Sequence, residues 1–212
     1  MIVVNFKAYS NAAGQKSEKI IKACKQASED TGEEVIVVPQ PEDLFRAEGV
    51  EAYAQHIDGV EPGSHTGSIL AKGVKDAGAT GTLLNHSENR LRDRSIEASI
   101  NAAKSLGLKT IVCAQTPEEC KNYSKLDPDY IAFEPPELIG GKTPVSEAEP
   151  EVIEKAVEET EEGVKTLTGA GIKSKKDVEK SIELGCEGVL VASGVTKAND
   201  IYEEVKELCE GL

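Results

Sequence analysis

Glu134 is the residue of this sequence whose type and position best suit catalysis. It follows the apolar run Tyr130-Ile131-Ala132-Phe133 and precedes the proline- and glycine-containing segment 135–144. A carboxylate between a buried strand and a loop can act as a rigid base beside a segment that closes over a substrate. Taken alone, an exposed turn after a strand explains the same stretch equally well. The ends of the other apolar runs must decide between these interpretations.

Two other apolar runs end in residues that could assist a base. Asn5 and Lys7 end the first run, two residues apart and therefore on the same side of an extended chain. His86 and Glu88 follow the fourth run, where a helical turn starting at Ser87 would favour a neutral imidazole. A neutral imidazole can donate a hydrogen bond to a carbonyl oxygen that gains negative charge. Each residue alone is more often an ordinary solvated or hydrogen-bonded group.

Glycines follow the seventh and eighth apolar runs, in Gly169-Ala170-Gly171 and Ala192-Ser193-Gly194. Glycine lets backbone N–H groups approach a phosphate closely. With a carboxylate, a histidine and a lysine, such a cradle suits proton abstraction next to a carbonyl in a small phosphorylated substrate. The sequence contains no recognisable nucleophile–base pair, metal-ligand cluster or dinucleotide fingerprint.

These residues belong to a repeating β-then-α pattern. Eight short runs rich in aliphatic residues are predicted as strands, at 2–4, 35–38, 52–54, 81–84, 110–113, 130–133, 164–167 and 188–192. Helices are predicted between them, at 17–28, 42–48, 68–77, 95–106, 117–125, 150–161, 175–184 and 199–208. Eight such cycles predict an α/β fold, a closed (β/α)8 barrel formed by residues 1–212 as a single domain.

The alternative architecture is a doubly wound open sheet. It is disfavoured because no GxGxxG motif follows the first strand and no change of composition divides the chain. In a barrel, the residues named above would all meet at the carboxyl ends of the strands, where active sites of this fold lie.

Composition limits the partners and the compartment. The 212 residues carry 24 Lys and Arg against 38 Asp and Glu, a formal net charge of −14. This charge argues against nucleic acid and anionic membrane surfaces as partners. No apolar run is long enough to span a membrane, and the five cysteines show no CxxC spacing. We therefore expect a cytoplasmic protein.

The motifs resemble those of a known family when they are read in order. Asn5-Phe6-Lys7, His86-Ser87-Glu88, Glu134-Pro135-Pro136-Glu137-Leu138-Ile139-Gly140 and Ala192-Ser193-Gly194-Val195 closely resemble the triosephosphate isomerases, particularly their compact archaeal branch. The match runs through the whole chain. It implies a TIM barrel that interconverts dihydroxyacetone phosphate and D-glyceraldehyde 3-phosphate through an enediolate, in glycolysis and gluconeogenesis, without cofactor or metal.

The resemblance also implies roles for individual residues. Glu134 would accept the proton, His86 would act as the electrophile, and Lys7 would supply positive charge beside the substrate. The other implied substrate-binding residues are Asn5, Phe6, Ile139, Gly171, Ala192 and Ser193, with Gly140 in the closing loop. Glu88 would support Lys7 through a salt bridge. Thr66, in the loop after the third strand, would lie near the site of a neighbouring subunit, so a homo-oligomer is implied, either a dimer or a tetramer.

Three positions depart from the family pattern. The closing loop reads Gly140-Gly141-Lys142-Thr143 where Gly-Thr-Gly is common, Asn89 replaces a frequent arginine, and the usual serine after the seventh strand is absent. Two other functions stay open: a different phosphosugar isomerase or synthase on the same barrel, and a barrel retained only to bind a phosphorylated ligand.

Overall fold

A computed structural model describes residues 1–135 and 150–212. Eight parallel strands pair in sequence order, and the first also pairs with the last, so the sheet closes into a barrel. The strands are β1 (Ile2–Asn5), β2 (Val35–Val38), β3 (Glu51–Ala54), β4 (Gly81–Leu84), β5 (Lys109–Ala114), β6 (Tyr130–Phe133), β7 (Lys165–Thr168) and β8 (Gly188–Val191). The predicted barrel is therefore confirmed, and each predicted strand overlaps an observed one.

Helices alternate with these strands. The described helices are α1 (Ser17–Thr31), α2 (Ala71–Asp76), α3 (Asp93–Ser105), α4 (Pro117–Ser124), α5 (Pro150–Glu159), α6 (Lys175–Glu183), α7 (Ser193–Thr196) and α8 (Ile201–Cys209), with 3₁₀ helices at Gly14–Lys16 and Pro41–Arg46. Among the described residues, no helix is both long and apolar enough to cross a bilayer.

The strands bury side chains on both faces, which form two separate cores. The barrel interior contains one or two residues from each strand, such as Val3, Ile36, Leu83 and Leu190. The outer core lies between the strands and the helices and contains the alternate strand residues, such as Ile2 and Val4. This alternation fixes which residue at the end of each strand turns inward.

Two helical segments differ from the predictions. The helix predicted at 42–48 is a 3₁₀ helix over Pro41–Arg46, a short segment that ends before Gly49, which adopts φ +81°. The helix predicted from residue 199 begins at Ile201, and the short helix Ser193–Thr196 precedes it. Four residues are too few to produce a helical hydrophobic pattern, so the sequence did not reveal α7 as a separate element.

Candidate active site

Strand alternation brings Glu134 into the barrel mouth. Tyr130 and Ala132 of β6 point into the barrel interior, whereas Phe133 packs in the outer core. Glu134 continues this alternation, because its N–H donates to the carbonyl of Ala114 at 2.8 Å and so extends the strand pairing. Its carboxylate is therefore directed inward, and only 6% of the residue is exposed.

His86 faces Glu134 across the mouth of the barrel. Its Nε2 lies 3.6 Å from Oε2 of Glu134, and the histidine is 8% exposed. Asn85 precedes it with φ +60°, and the amide of Asn85 donates to the Cys113 carbonyl at 2.9 Å and accepts from the N–H of Leu91 at 2.9 Å. This turn reverses the chain directly after β4 and directs the imidazole towards the barrel axis.

The backbone after His86 determines which ring nitrogen accepts a hydrogen bond. The N–H of Glu88 donates to Nδ1 of His86 at 3.2 Å, and the N–H of Asn89 donates to the His86 carbonyl at 2.7 Å. The expected helical turn is thus a single hydrogen-bonded turn. A ring that accepts at Nδ1 is neutral and carries its proton on Nε2, the atom that faces Glu134.

Lys7 approaches the same space from β1. Its Nζ lies 2.8 Å from Oε1 of Glu88, which forms the ion pair that the resemblance implies. The Lys7 side chain is 13% exposed, whereas that of Glu88 is 59% exposed. Asn5 is buried, and its Oδ1 accepts the N–H of Lys7 at 2.9 Å.

Burial controls the protonation of Glu134. Removal of the carboxylate from water raises the pKa of Glu134, and His86, the Cys113 thiol and Lys7 oppose this rise without cancelling it. Oε2 of Glu134 has no hydrogen-bond partner among the described residues. A desolvated carboxylate with a raised pKa and a free oxygen is suited to accept a proton from carbon.

A glycine after β7 makes room for this carboxylate. A Cβ at Gly169 would lie 2.9 Å from the Leu190 carbonyl oxygen and 3.1 Å from Oε1 of Glu134. A side chain there would displace either β8 or Glu134. Gly169 therefore has a role that the sequence did not suggest, because it permits the base to lie against the barrel wall.

These groups line one cavity of about 430 Å³ at the carboxyl ends of the strands. Seven of the predicted site residues line it together with Glu88: Asn5, Lys7, His86, Glu134, Gly171, Ala192 and Ser193. Gly171 adopts φ +75°, and the first N–H groups of α7, which lack intrahelical acceptors, lie at the opposite wall from β4. Glu134, His86 and the glycine-containing loops after β7 and β8 thus line one cavity.

Four predicted residues do not line the described part of this cavity. Phe6 is fully buried in the outer core, on the other side of the chain from Lys7. Thr66 is exposed in the loop after β3. Ile139 and Gly140 lie outside the described residues, as do the closing-loop departures at 141–143.

Sequence reasoning missed other residues that contribute to the site. Tyr9 and Lys173 line the cavity, and Lys173 adds a second cation there. Neither residue directly follows a strand: β1 ends at Asn5 and β7 ends at Thr168. The position of a residue after an apolar run therefore did not indicate them. Within residues 1–135 and 150–212, no cluster of three or more His, Cys, Asp or Glu side chains is arranged to ligate a metal.

The loop after β7 is fixed by a buried carboxylate, which leads to a prediction. Oδ2 of Asp177 accepts the N–H groups of Lys173 and Ser174, both at 2.9 Å. We expect Asp177→Ala to lower the free energy of unfolding by about 1–2 kcal/mol, as loss of a helix cap does. Because Lys173 and Gly171 belong to this loop, KM should also rise without a matching fall in kcat, as measured by steady-state kinetics.

Asp200→Ala is the matched control for this prediction. Asp200 caps α8 by accepting the N–H of Glu203 at 3.2 Å, and it does not line the cavity. This variant should lose similar stability in a denaturant titration and keep its KM. An equal rise of KM in both variants would contradict a specific role for Asp177.

The buried Glu134 carboxylate predicts a pH-dependent stability effect. Its pKa in the folded protein is raised, so the native state holds this proton more tightly than the unfolded chain. Its contribution to stability therefore falls as pH rises through the raised pKa. We expect Glu134→Gln to melt at a higher temperature than the unaltered protein near pH 8, and this difference should shrink as pH falls. Calorimetry across a pH series measures it, and a constant difference would contradict the prediction.

Comparisons with known proteins agree with this geometry. A family model described as triosephosphate isomerase matches residues 1–210. The triosephosphate isomerase of Methanocaldococcus jannaschii is 49% identical, over 98% of both chains, and that of Methanosarcina acetivorans is 45% identical, over 98% of this chain and 96% of the relative. The crystal structure of triosephosphate isomerase from Bartonella henselae superposes with a TM-score of 0.78 at 20% identity, over 99% and 97% of the two chains, which supports the fold. This chain therefore belongs to the triosephosphate isomerase family.

Proposed function

We propose that this chain interconverts dihydroxyacetone phosphate and D-glyceraldehyde 3-phosphate, the step shared by glycolysis and gluconeogenesis, with Glu134 as the base. The observation that supports these roles best is the 3.6 Å approach of Glu134 Oε2 to His86 Nε2 at the wall of the cavity of about 430 Å³. In triosephosphate isomerases a glutamate is established as the base and a neutral histidine as the group that polarises the carbonyl.

In this mechanism Glu134 removes a proton from the carbon next to the substrate carbonyl. Electron density moves onto the carbonyl oxygen, and Nε2–H of His86 donates a hydrogen bond to it. His86 gives its Nε2 proton to this oxygen and takes up the proton of the hydroxyl group on the other carbon. The protonated Glu134 returns its proton to the former carbonyl carbon, which gives the other triose phosphate. Burial keeps water away from the enediolate and strengthens these interactions.

Lys7 and the glycine-containing loops would hold the phosphate and balance its charge. The protein is strongly acidic, so an anionic substrate must be held by local cations and backbone N–H groups. Gly171, Ala192 and Ser193 would supply the backbone cradle. Asn5 would orient Lys7 through the hydrogen bond to its N–H.

A homo-oligomer, either a dimer or a tetramer, and a cytoplasmic location are part of this proposal. Residues 61–68 are all exposed, and a second cavity of about 370 Å³ adjoins the first and shares Lys7 and His86 with it. A loop such as 61–68 from a second copy would fit there. All five cysteines are free thiols, which is typical of a reducing compartment. Size-exclusion chromatography with light scattering measures the assembly.

A coupled assay tests the proposed activity. The protein is produced in a host strain that lacks its own triosephosphate isomerase and is supplied with D-glyceraldehyde 3-phosphate. Product dihydroxyacetone phosphate is reduced by an auxiliary dehydrogenase, and NADH consumption is followed. Glu134→Gln, purified identically, reports contaminating activity. Turnover equal to that of this variant, or turnover of a phosphoribosyl substrate instead, would overturn the proposal.

A further inference from the structure

Lys7 has an unfavourable backbone conformation that its surroundings must maintain. Its φ is +48°, in the left-handed region that lysine seldom adopts. Its salt-bridge partner Glu88 is 59% exposed, and ion pairs with exposed partners hold a side chain only weakly. The position of the Lys7 ammonium therefore depends on what fixes the Lys7 backbone.

The backbone N–H and carbonyl oxygen of Lys7 both form hydrogen bonds with side chains and not with the backbone of neighbouring strands. The N–H of Lys7 donates to Asn5. The carbonyl oxygen of Lys7 accepts two hydrogen bonds, from Nε2 of Gln40 at 2.6 Å and from Nε2 of Gln55 at 2.9 Å. A carbonyl has two lone pairs, so these amides saturate it.

The two glutamine side chains are also hydrogen-bonded to each other. Nε2 of Gln40 donates to Oε1 of Gln55 at 3.0 Å, and Nε2 of Gln55 donates to the carbonyl of Val38 at 3.2 Å. Each amide nitrogen thus uses both of its protons. Gln55 directly follows β3 and Gln40 lies two residues after β2, so the pair is anchored to rigid strands. We call Gln40 and Gln55 the amide clamp.

We infer that the amide clamp positions the Lys7 ammonium for the substrate and is a determinant of substrate binding and turnover. Both glutamines line the second cavity and neither lines the substrate cavity, so within this chain they influence the substrate through Lys7. The inference rests on the proposed function, because that proposal assigns Lys7 to the substrate phosphate. Releasing the Lys7 carbonyl would let the peptide leave the left-handed region and withdraw the ammonium.

A double-mutant cycle tests this inference. Gln40→Met and Gln55→Met keep the side-chain length and remove the donors. Each should lower kcat/KM by roughly 10- to 100-fold, since a displacement of about 1 Å can cost on the order of 10²-fold in a preorganised site. In a Lys7→Ala background the same changes should alter kcat/KM less than about twofold, because no ammonium remains to be placed. The affinity for glycerol 3-phosphate, an unreactive substrate analogue that lacks the carbonyl group, should follow the same pattern by calorimetry.

The controls separate this role from a general structural one. Gln26→Met, on the exposed face of α1, should change nothing in either background. If the clamp variants act by loosening the fold or an interface between copies, their losses will be equal with and without Lys7, and that result overturns the inference. Failure of the proposed function looks different, because the unaltered protein itself would then show no turnover.

Discussion

Replacing Glu134 by glutamine is expected to lower kcat roughly 10³-fold, within the 10²–10⁴-fold range that general acid–base catalysis contributes. Glutamine preserves the shape of the side chain, and it cannot accept a proton from carbon. The cavity walls that would hold the phosphate come from the loops after β7 and β8, so they are unaffected. KM should therefore change by less than about threefold, because the lost interaction is made in the transition state.

Steady-state kinetics with the coupled assay, together with glycerol 3-phosphate binding, checks this expectation. Glu187→Gln is the matched control: Glu187 pairs with Lys165 at 3.3 Å and precedes β8, at the opposite end of the barrel from the cavity. It should keep full activity. A Glu134→Gln enzyme that retained more than about a tenth of kcat would remove Glu134 from the role of base.

Glu134 illustrates how much of the site the sequence could predict. In a parallel barrel, a residue's position after a strand fixes both its height and its inward or outward direction. Counting apolar runs therefore placed Glu134, His86 and Lys7 at one end of the barrel, and the structure brings them to one cavity. Phe6 was named from the resemblance alone. Strand alternation puts its side chain on the face opposite to Asn5 and Lys7, and it lies in the outer core.

Contacts between loops from different strands could not be predicted in this way. The amide clamp joins residues after β2 and β3 to a residue after β1, and no spacing in the sequence indicates that Gln40 and Gln55 meet. The need for Gly169 also depends on the distance between β7 and the Glu134 carboxylate. Both features depend on how separate loops and strands pack together, and local sequence patterns do not predict such contacts.

The second large effect is expected at His86, whose replacement by glutamine should lower kcat about 10²-fold, the loss typical of removing one donor to a developing oxyanion. The reason is the tautomer. Because Nδ1 accepts the N–H of Glu88 at 3.2 Å, the ring proton is on Nε2, directed towards the cavity. A glutamine amide could donate from that region, and it would lack the hydrogen bond that orients the imidazole.

Combining the two changes tests whether His86 and Glu134 act on the same step. If the imidazole stabilises charge that develops only when Glu134 removes the proton, Glu134→Gln already abolishes the state that His86 binds. The double variant should then lose little more than Glu134→Gln alone, because residues that act as a unit are strongly non-additive. Losses that multiply would mean that His86 contributes to substrate binding or to the fold independently of the base. Calorimetry with glycerol 3-phosphate tests the binding explanation directly. If His86 contributes to substrate binding independently of Glu134, His86→Gln should bind this compound more weakly than the unaltered protein does.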